Sequence, residues 1–309
     1  MRIAIDYRDS INEGCLVCAP EKRKSSCSDG GLCEAVLSDL DGLPLRCVGG
    51  WGRDKVYRLL QYVGIFALGM KNRYNLHYIE LCSGPGRVID RQSKNEFDGT
   101  SIALLRHPHA TYLTDATFID IDDGVLEALR QRIAQLGQSA PATYVVKGDF
   151  NNVESIDDAI RHVPTGDLCL VFIDPTDLSL PFTTISHLAN SLGRADLIIN
   201  VADGTDFVRN AKKAIEKDGP VRRKYERFLG APGFFERKDI RKLSSERDLK
   251  IAFLRQLNEG LSELGYKYFD REPVKHYYGL LFASKHERGL DFWRKAQSIS
   301  PDGQRSLFS

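Results

Sequence analysis

Residues 77–87 read His77-Tyr-Ile-Glu-Leu-Cys-Ser-Gly-Pro-Gly-Arg87, an apolar run that meets a glycine-containing turn. The run predicts a β-strand, and a strand that stops at such a turn presents bare backbone N–H groups at its carboxyl end. In open α/β sheets, ligands bind at that end. Gly84 and Gly86 let the main chain approach a ligand closely and adopt positive φ. The segment therefore predicts a ligand site at the end of a strand.

Glu80 indicates which class of ligand suits this turn. Its carboxylate is expected beside the turn, which fits a nucleoside carrying a positive group, such as S-adenosylmethionine, better than a triphosphate. No Lys-Ser/Thr pair follows the glycines, so the turn is not a P-loop. A lone G-x-G also occurs in ordinary tight turns. The residues expected to hold the methionine end of the cofactor are Glu80, Ser83, Gly84 and Gly86.

The composition is that of a globular protein with one large domain or two smaller ones. The 309 residues are 42% hydrophobic and 28% charged, and the formal net charge of +1 gives no global attraction to nucleic acid or membrane. No apolar run approaches the ~20 residues needed to span a bilayer, and the N-terminus lacks the layout of a signal peptide. We therefore expect a cytoplasmic protein whose seven cysteines are thiols or metal ligands rather than disulfides.

From Trp51 onward, short apolar runs alternate with helical patterns, for example over 124–136 and 156–162. The alternation predicts βαβ units, and the last two runs, which have no helix between them, should form an antiparallel hairpin. The predicted fold is α/β, a Rossmann-like seven-stranded, mostly parallel sheet with an antiparallel last strand. The seven runs are Tyr78–Leu81, Thr117–Ile121, Tyr144–Val146, Leu168–Ile173, Leu197–Val201, Tyr266–Phe269 and Tyr277–Phe282.

The domain organisation is expected to have two parts. Residues 1–50, which hold five of the seven cysteines, form a Cys-rich N-terminal extension, and residues 51–309 form the Rossmann-like domain. A basic helical insertion at about 207–255 holds 15 Arg/Lys against 7 Asp/Glu. Its densest part interleaves cations with Tyr225 and Phe228, a pattern that suits a phosphate backbone with stacked bases. A solvated helical face is the alternative. The RNA- or DNA-binding candidates are Arg222, Arg223, Lys224 and Arg227.

Carboxylates close the next predicted strands. Asp120, with Asp122 as second candidate, can accept the hydrogen bonds of both ribose hydroxyl groups. Asp149 can take the adenine amino group, and Phe150 can pack on the ring. Each acid could instead form a turn or cap a helix. The spacing from Glu80 to Asp120 is long for a dinucleotide site, so an extra helix is expected at about 99–107.

Five segments of the chain resemble the three-Cys-motif partner proteins, a family similar to class I S-adenosylmethionine-dependent methyltransferases. The resemblance covers roughly residues 51–300 and implies the fold and the cofactor but no substrate. It also implies a neighbouring radical-type protein, which carries the three cysteines of the family name. The segments are Tyr78–Arg87, Asp98–Ser101, Phe172–Thr176, Asp196–Asn200 and Tyr278–His286.

Asp174-Pro175-Thr176-Asp177 partly resembles the Asp/Asn-Pro-Pro-aromatic motif of amino-group methyltransferases. In that motif the acid or amide side chain and a proline carbonyl accept hydrogen bonds from the target amine. The resemblance makes Asp174, Pro175 and Thr176 the catalytic candidates. Thr176 and Asp177 depart from the motif, and the missing aromatic residue puts base stacking in doubt.

The function expected from these features is methyl transfer from S-adenosylmethionine to a nucleic acid base or to a partner-delivered substrate. One alternative is a non-catalytic partner protein that binds the cofactor or nucleic acid only. A second alternative is a nicotinamide oxidoreductase, but a third glycine is missing and the acid after the glycines is displaced.

A further expectation concerns the N-terminal cysteines. Thiolates at these spacings could bind tetrahedral zinc, although only one pair has the standard C-x2-C spacing. The alternatives are simple thiols, redox-active thiols and an iron–sulfur cluster. The four candidate ligands are Cys15, Cys18, Cys27 and Cys33.

Overall fold

The computed structural model describes residues 37–299, apart from 91, 92, 94, 138–140 and 276. Within this part of the chain, no helix combines the length and the apolarity needed to cross a membrane. The strands are β1 (Arg46–Val48), β2 (Leu76–Leu81), β3 (Arg87–Asp90), β4 (Glu96–Asp98), β5 (Asp115–Asp120), β6 (Ala142–Lys147), β7 (Leu168–Ile173), β8 (Arg194–Val201), β9 (Tyr268–Val274) and β10 (Tyr278–Ser284).

Helices occupy most of the intervals between the strands. The α-helices are α1 (Trp51–Met70), α2 (Thr100–Leu105), α3 (Asp123–Ala134), α4 (Val153–Ile160), α5 (Phe182–Ser191), α6 (Val208–Glu216), α7 (Pro220–Leu229), α8 (Lys238–Arg241), α9 (Glu246–Glu263) and α10 (Glu287–Gln297). A π-helical turn spans Asp203–Phe207 and precedes α6.

Seven strands form the main sheet, in the order β6-β5-β2-β7-β8-β10-β9. The first unit of the chain, residues 1–147 with 296–309, contributes β6, β5 and β2, which pair in parallel. The second unit, residues 148–295, contributes β7 and β8, which pair in parallel, followed by β10 and β9, each antiparallel to its neighbour. The predicted seven-stranded, mostly parallel sheet with an antiparallel end is confirmed.

Burial explains why the apolar runs become strands. β2 and β5 are buried at every position, and so is β7 from Cys169 to Ile173. Strands of a parallel sheet are covered on both faces, so they appear in the sequence as continuous apolar runs. The antiparallel pairing of β9 and β10 confirms the predicted hairpin, although β9 extends to Val274, five residues beyond the end of the run Tyr266–Phe269.

A second, small sheet was not predicted. β3 follows the glycine turn directly, pairs in parallel with β1 and in antiparallel with β4. Only then does α2 begin, which confirms the extra helix expected near 99–107. The chain after β2 therefore runs through a hairpin before it reaches a helix. β3 and β4 were not predicted because each is short and holds few apolar residues.

In the second unit, the interval between β8 and β9 is mostly helical and encloses an aromatic cluster. Phe253 of α9 contacts Phe207 at 4.3 Å between ring centroids and Phe228 at 5.9 Å. Tyr225 contacts both Phe207 and Phe253. All four rings are fully buried, so the insertion has a hydrophobic core of its own.

Candidate functional site

The turn after β2 holds three residues with positive φ, namely Cys82 (+63°), Gly84 (+66°) and Gly86 (+85°). A Cβ on Gly86 would lie 2.7 Å from Ile102 Cγ1 and 2.8 Å from Leu129 Cδ1, so packing requires this glycine. A Cβ on Gly84 would meet no atom within 4 Å among the described residues. Gly84 therefore lies on an open side of the turn, where its backbone can approach a ligand closely.

Asp120, the last residue of β5, reaches this turn. Its Oδ2 accepts a hydrogen bond from Gly84 N at 3.0 Å, and its Oδ1 accepts one from Asp122 N at 3.3 Å. The residue is only 5% exposed. Each carboxylate oxygen can accept more than one hydrogen bond, so Asp120 retains capacity for hydroxyl donors of a ligand. The ends of β2 and β5 thus meet at the predicted position.

Asp122 has a structural role at the same edge. Its Oδ1 accepts a hydrogen bond from Val125 N at 3.0 Å and caps α3. Ile121, between the two acids, is 55% exposed although it is large and apolar. The sequence assigned Ile121 to the strand, and for that reason its exposure beside Asp120 was missed.

Glu80 does not present its carboxylate at the turn, and the expectation that it contacts a ligand is wrong for this arrangement. The residue has no exposed surface. Its Oε1 accepts a hydrogen bond from the Thr100 hydroxyl group, and its Oε2 accepts one from the Tyr78 hydroxyl group at 3.0 Å. Tyr78 lies on the same face of β2, two residues away. Glu80 instead links β2 to the start of α2.

Ser83, which was predicted to contact the cofactor, has a hydroxyl group that is free to form a further hydrogen bond. It is 5% exposed, and its Oγ has no hydrogen-bond partner among the described residues. Its backbone N donates to Ile119 O at 3.1 Å, which ties the turn to β5. A buried hydroxyl group without a partner is unusual in a folded protein and is consistent with a ligand or a water at this position.

Arg132 of α3 bonds to the backbone of the glycine turn, a role that was not predicted from the sequence. Its guanidinium is buried and donates to Pro85 O at 2.7 Å and to Pro44 O at 2.8 Å. It also forms a bidentate pair with Asp41, at 2.8 and 2.9 Å. Burial raises the pKa of Asp41, but the Arg132 hydrogen bond and a Leu43 backbone hydrogen bond outweigh this effect and lower it overall. Residues 41–44 and the glycine turn are thus held by one side chain.

In the second unit, Asp149 and Phe150 follow β6 as predicted. Asp149 Oδ1 accepts hydrogen bonds from Asn151 N at 2.8 Å and Asn151 Nδ2 at 2.9 Å, which closes a local turn. Phe150 O accepts one from the Thr184 hydroxyl group at 2.5 Å, and Phe150 is half-buried. These contacts fix the backbone of both residues. Their predicted contacts with adenine remain a prediction.

Asp174 follows β7 and meets a residue that was not singled out. Asn200, at the end of β8, donates from Nδ2 to Asp174 Oδ1 at 2.7 Å and to Pro175 O at 3.5 Å. Asn200 is 2% exposed, and its Oδ1 has no partner among the described residues. Thr176 is exposed. The signal that could have found Asn200 is its place at the carboxyl end of the strand beside β7.

Lys224 holds the segment after Asp174 to the helical insertion. Its Nζ lies 2.6 Å from Asp206 Oδ2 and 3.1 Å from Asp177 Oδ2. Asp206 Oδ2 also accepts a hydrogen bond from Leu178 N at 3.0 Å, and its Oδ1 accepts one from the Tyr225 hydroxyl group at 3.0 Å. Burial, followed by the Asp206 carboxylate, raises the pKa of Tyr225, so its hydroxyl group stays protonated and donates. The π-helical turn that carries Asp206 is therefore bonded to the loop after β7.

The predicted nucleic-acid contacts within α7 require correction. Arg222 is 5% exposed, and its guanidinium donates to Ala214 O at 2.7 Å and Ile215 O at 2.9 Å, which satisfies carbonyls at the end of α6. Arg222 is therefore not available to phosphates. The expected stacking of bases on Tyr225 and Phe228 is also wrong, because both rings are fully buried. The dense run of cations suggested an exposed helix, but one side of α7 packs against the protein core.

Arg227 and Arg223 remain at the surface. Arg227 donates to Ser179 O at 2.6 Å and to Asn151 Oδ1 at 2.9 Å. The Arg223 guanidinium lies 3.4 Å from Asp218 Oδ1, and both side chains are about two-thirds exposed.

The candidate zinc ligands Cys15, Cys18, Cys27 and Cys33 lie outside the described residues. Among the described residues, no cluster of three or more potential metal ligands is present.

Solved structures similar to this chain include methyltransferases, two of which hold S-adenosyl-L-methionine or SAH. Magnesium protoporphyrin IX methyltransferase from Synechocystis PCC 6803, with bound SAH, is 14% identical over 86% of this chain and 97% of that chain, with a TM-score of 0.43. Trm1 from Pyrococcus horikoshii, with S-adenosyl-L-methionine, is 13% identical over 79% of this chain and 58% of that chain, with a TM-score of 0.46. Ribosomal protein L11 methylase from Lactobacillus delbrueckii subsp. bulgaricus is 13% identical over 74% of this chain and 78% of that chain, with a TM-score of 0.34.

No protein-family model and no curated protein sequence matches the chain. The resemblance to the three-Cys-motif partner proteins therefore stays a prediction. The chemistry of this chain is indicated by its own residues.

Those residues define two groups of hydrogen-bonding atoms. In the first unit, the turn after β2 carries an open glycine backbone and the Ser83 hydroxyl group, which has no partner among the described residues. The Asp120 carboxylate lies at the strand end that is bonded to this turn. This set fits a nucleoside that offers hydroxyl donors and a polar tail. In the second unit, Asp174 and the Pro175 carbonyl offer acceptors that suit an N–H group.

Proposed function

We propose that the protein is an S-adenosylmethionine-dependent methyltransferase. The observation that carries the proposal is the hydrogen bond from Gly84 N to Asp120, which joins a glycine turn with an open Cβ position to a carboxylate at the next strand end. A ribose offers two adjacent hydroxyl donors, and a carboxylate at this place in an α/β sheet accepts them. The exposed Ile121 side chain beside Asp120 supplies apolar surface for a flat base.

The turn would hold the methionine end of the cofactor. Gly84 allows close approach of the backbone, and the ligand would give the Ser83 hydroxyl group the hydrogen-bond partner that the described part of the chain does not supply. Glu80 and Arg132 would act by position, the first by holding β2 against α2 and the second by holding Pro85 O. Asp149 and Phe150 are proposed to contact the adenine amino group and ring.

The methyl acceptor is proposed to be a nitrogen that carries hydrogen. When bound, S-adenosylmethionine supplies the methyl group for an in-line displacement, which needs the acceptor held and aligned rather than activated covalently. Asp174 and Pro175 O would accept the hydrogen bonds of the acceptor nitrogen and orient its lone pair, and Asp174 would receive the proton that the nitrogen loses. Asn200 keeps Asp174 Oδ1 in place. Thr176 is exposed next to this pair and is proposed to contact the acceptor.

A nucleic acid base or a substrate delivered by a protein partner is the proposed acceptor class. The partner implied by the sequence resemblance is a radical-type three-Cys-motif protein. Zinc at Cys15, Cys18, Cys27 and Cys33 remains part of the proposal for the N-terminal extension, and metal analysis of the purified protein tests it.

One observation favours a non-catalytic partner protein that binds only the cofactor or a nucleic acid. Where the amino-group motif has an aromatic residue, this chain has Asp177, whose carboxylate is held by Lys224. The side chain that would stack on a base is therefore missing from this position.

Transfer of a tritiated methyl group distinguishes the two functions. The protein is incubated with labelled S-adenosylmethionine and with total RNA, DNA or cell extract, with and without the three-Cys-motif protein. We expect label to enter one fraction, and Asp174→Ala to lower the rate of transfer at least tenfold while cofactor binding is kept. Cofactor binding without transfer in any arm would favour the non-catalytic function.

A further inference from the structure

The cations of the insertion fall into two classes once their contacts are known. Of the 15 Arg/Lys in residues 207–255, six form hydrogen bonds or ion pairs with other residues: Arg222, Arg223, Lys224, Arg227, Arg237 and Lys250. The other nine are exposed and form no ion pair within the described part of the chain. These nine are Arg209, Lys212, Lys213, Lys217, Lys238, Arg241, Lys242, Arg247 and Arg255.

The acids of the same interval do not balance this charge. Asp218, Glu236 and Asp239 are already paired with arginines, and Glu226 accepts a hydrogen bond from Phe235 N at 3.3 Å. Within the described residues, four of the seven acids, Glu216, Glu226, Glu246 and Asp248, form no ion pair with a cation, against nine unpaired cations. The unpaired charge therefore lies on the parts of the insertion that flank α7, not on the dense run inside it.

α6 concentrates this charge on one face. Arg209, Lys212 and Lys213 are exposed at positions i, i+3 and i+4, which lie on the same side of a helix. Successive members are about 1.5–4.5 Å apart along the helix axis. Ala211 and Ala214 are fully buried on the opposite side. Lys217 follows directly after the helix and is also exposed.

We propose that this face of α6 binds the phosphate backbone of a nucleic acid. The unpaired cations supply the charge that phosphates need. Because Tyr225 and Phe228 are buried, no aromatic side chain of α7 is available to stack on bases, and recognition is by charge rather than by base sequence. A membrane surface fits less well, because an interfacial helix inserts its apolar side. The apolar side of α6 is already buried in the protein.

The same helices connect this face to the proposed acceptor residues. Arg222 bonds α7 to the last carbonyls of α6, while Lys224 and Arg227 bond α7 to Asp177 and Ser179 O in the loop after Asp174. A strand bound along α6 is thereby kept at a fixed position relative to that loop. Binding of nucleic acid itself does not depend on the cofactor, so the two proposals fail independently.

Fluorescence anisotropy with labelled 20-nucleotide oligouridine, oligothymidine and a DNA duplex tests the proposal. The test variant is Arg209→Gln/Lys212→Gln/Lys213→Gln, which keeps good helix formers on an exposed face. The control removes three exposed arginines outside the insertion, Arg73, Arg130 and Arg161, by the same change to Gln. Thermal unfolding of each variant establishes that it is folded.

We expect the test variant to bind at least tenfold more weakly than the wild type and the control to stay within threefold. The slope of log K against log salt for the single strands is negative, and its magnitude should decrease by about 2, the value for three lost phosphate contacts. Similar affinities of several oligonucleotide sequences support backbone recognition, and comparison of the RNA and DNA arms identifies the source of the phosphates. Unchanged binding by the test variant, an equal loss in the control, or binding only to vesicles that contain phosphatidylserine would overturn the proposal.

Discussion

Gly84 N donates a hydrogen bond to Asp120 Oδ2 at 3.0 Å, and this contact connects the turn after β2 with the end of β5. The two residues are 36 positions apart in the sequence. A small sheet and α2 fill the interval without separating the two strands, because β2 and β5 pair side by side. The proposed cofactor site depends on this contact, since it places an acid next to an open backbone.

Ser83→Ala should weaken ligand binding without lowering the stability of the fold. Because the Ser83 hydroxyl group has no partner among the described residues, its removal should leave the free energy of unfolding unchanged or slightly raised. Loss of one hydrogen bond to a ligand should weaken S-adenosylhomocysteine binding about twofold to tenfold. Calorimetry and thermal unfolding measure the two effects.

The matched control for this variant is Ser101→Ala. Ser101 also has a buried hydroxyl group without a partner among the described residues, but it has no exposed surface at all. Its substitution should not change the dissociation constant. Equal weakening in both variants would remove Ser83 from the site.

Asp41 should make stability depend on acid pH. Its folded-state pKa lies below the ordinary value of 3.8, so its contribution is present above that pH and is lost as the pH falls through the lowered value. At neutral pH, Asp41→Asn should lower the free energy of unfolding by about 1.5–3 kcal/mol, because Arg132 loses a charged acceptor. The difference from the wild type should shrink below pH 3.8.

Denaturant unfolding over a series of pH values measures this difference, and Asp39→Asn is the control because Asp39 is exposed. A difference that stays constant down to pH 2–3 would show that Asp41 does not act through its charge.

The extent to which the sequence predicted the fold follows from burial. β7 has the bounds Leu168–Ile173 that its apolar run indicates, because a strand that is buried from its second residue onward has no polar positions that obscure its ends. β3 and β4 were missed because Arg87-Val-Ile-Asp90 and Glu96-Phe-Asp98 are short and largely polar. Their charged residues pair with each other, as in the contact of Arg87 Nε with Glu96 at 3.1 Å, and no periodicity reports such a contact.

The candidate site was predictable where position along a strand determines it. Asp120 ends the apolar run of β5, and the parallel pairing of β2 with β5 brings the carboxyl ends of these two strands to the same edge. Glu80 was misassigned because its partners lie on the same strand face and 20 residues downstream. Arg222 was misassigned because a run of cations in the sequence does not reveal which side of the helix each one occupies.

Lys224→Met should loosen the loop after Asp174. Lys224 Nζ lies between the Asp177 and Asp206 carboxylates, so its removal leaves two like charges close together. The Leu178 amide, which donates to Asp206, should then exchange its hydrogen at least tenfold faster. Hydrogen exchange read by mass spectrometry on peptides that contain residue 178 measures this.

Arg223→Met is the control, because it removes a neighbouring cation whose ion pair is exposed. It should leave exchange at Leu178 unchanged. If Lys224→Met also leaves that exchange unchanged, Lys224 does not hold the loop.

Gly279→Ala should disturb an ion pair on β9. A Cβ on Gly279 would lie 2.1–2.3 Å from the Arg271 guanidinium, which crosses β10 to bond the buried Asp203. Displacing Arg271 leaves Lys250, 3.1 Å away, as the cation next to Asp203. The free energy of unfolding should fall by about 1–3 kcal/mol, the cost of a lost hydrogen bond to a charged group.

A double-mutant cycle identifies the cause. In the Arg271→Ala background, Gly279→Ala should cost almost nothing, because the side chain that it displaces is gone. Gly166→Ala, where an added Cβ meets no atom within 4 Å among the described residues, controls for backbone effects. An equal cost of Gly279→Ala in both backgrounds would attribute the loss to the strand itself.

Titration calorimetry of S-adenosylmethionine, S-adenosylhomocysteine and NAD into the wild type and the Asp120→Ala variant is the most direct test of the proposed cofactor site. The wild type should bind the first two and not NAD. Asp120→Ala should bind them at least tenfold more weakly, since it loses a charged acceptor worth about 1.5–3 kcal/mol, while Asp123→Ala, an exposed acid on α3, should bind normally. Binding of NAD in preference, or undiminished binding by Asp120→Ala, would contradict the assignment.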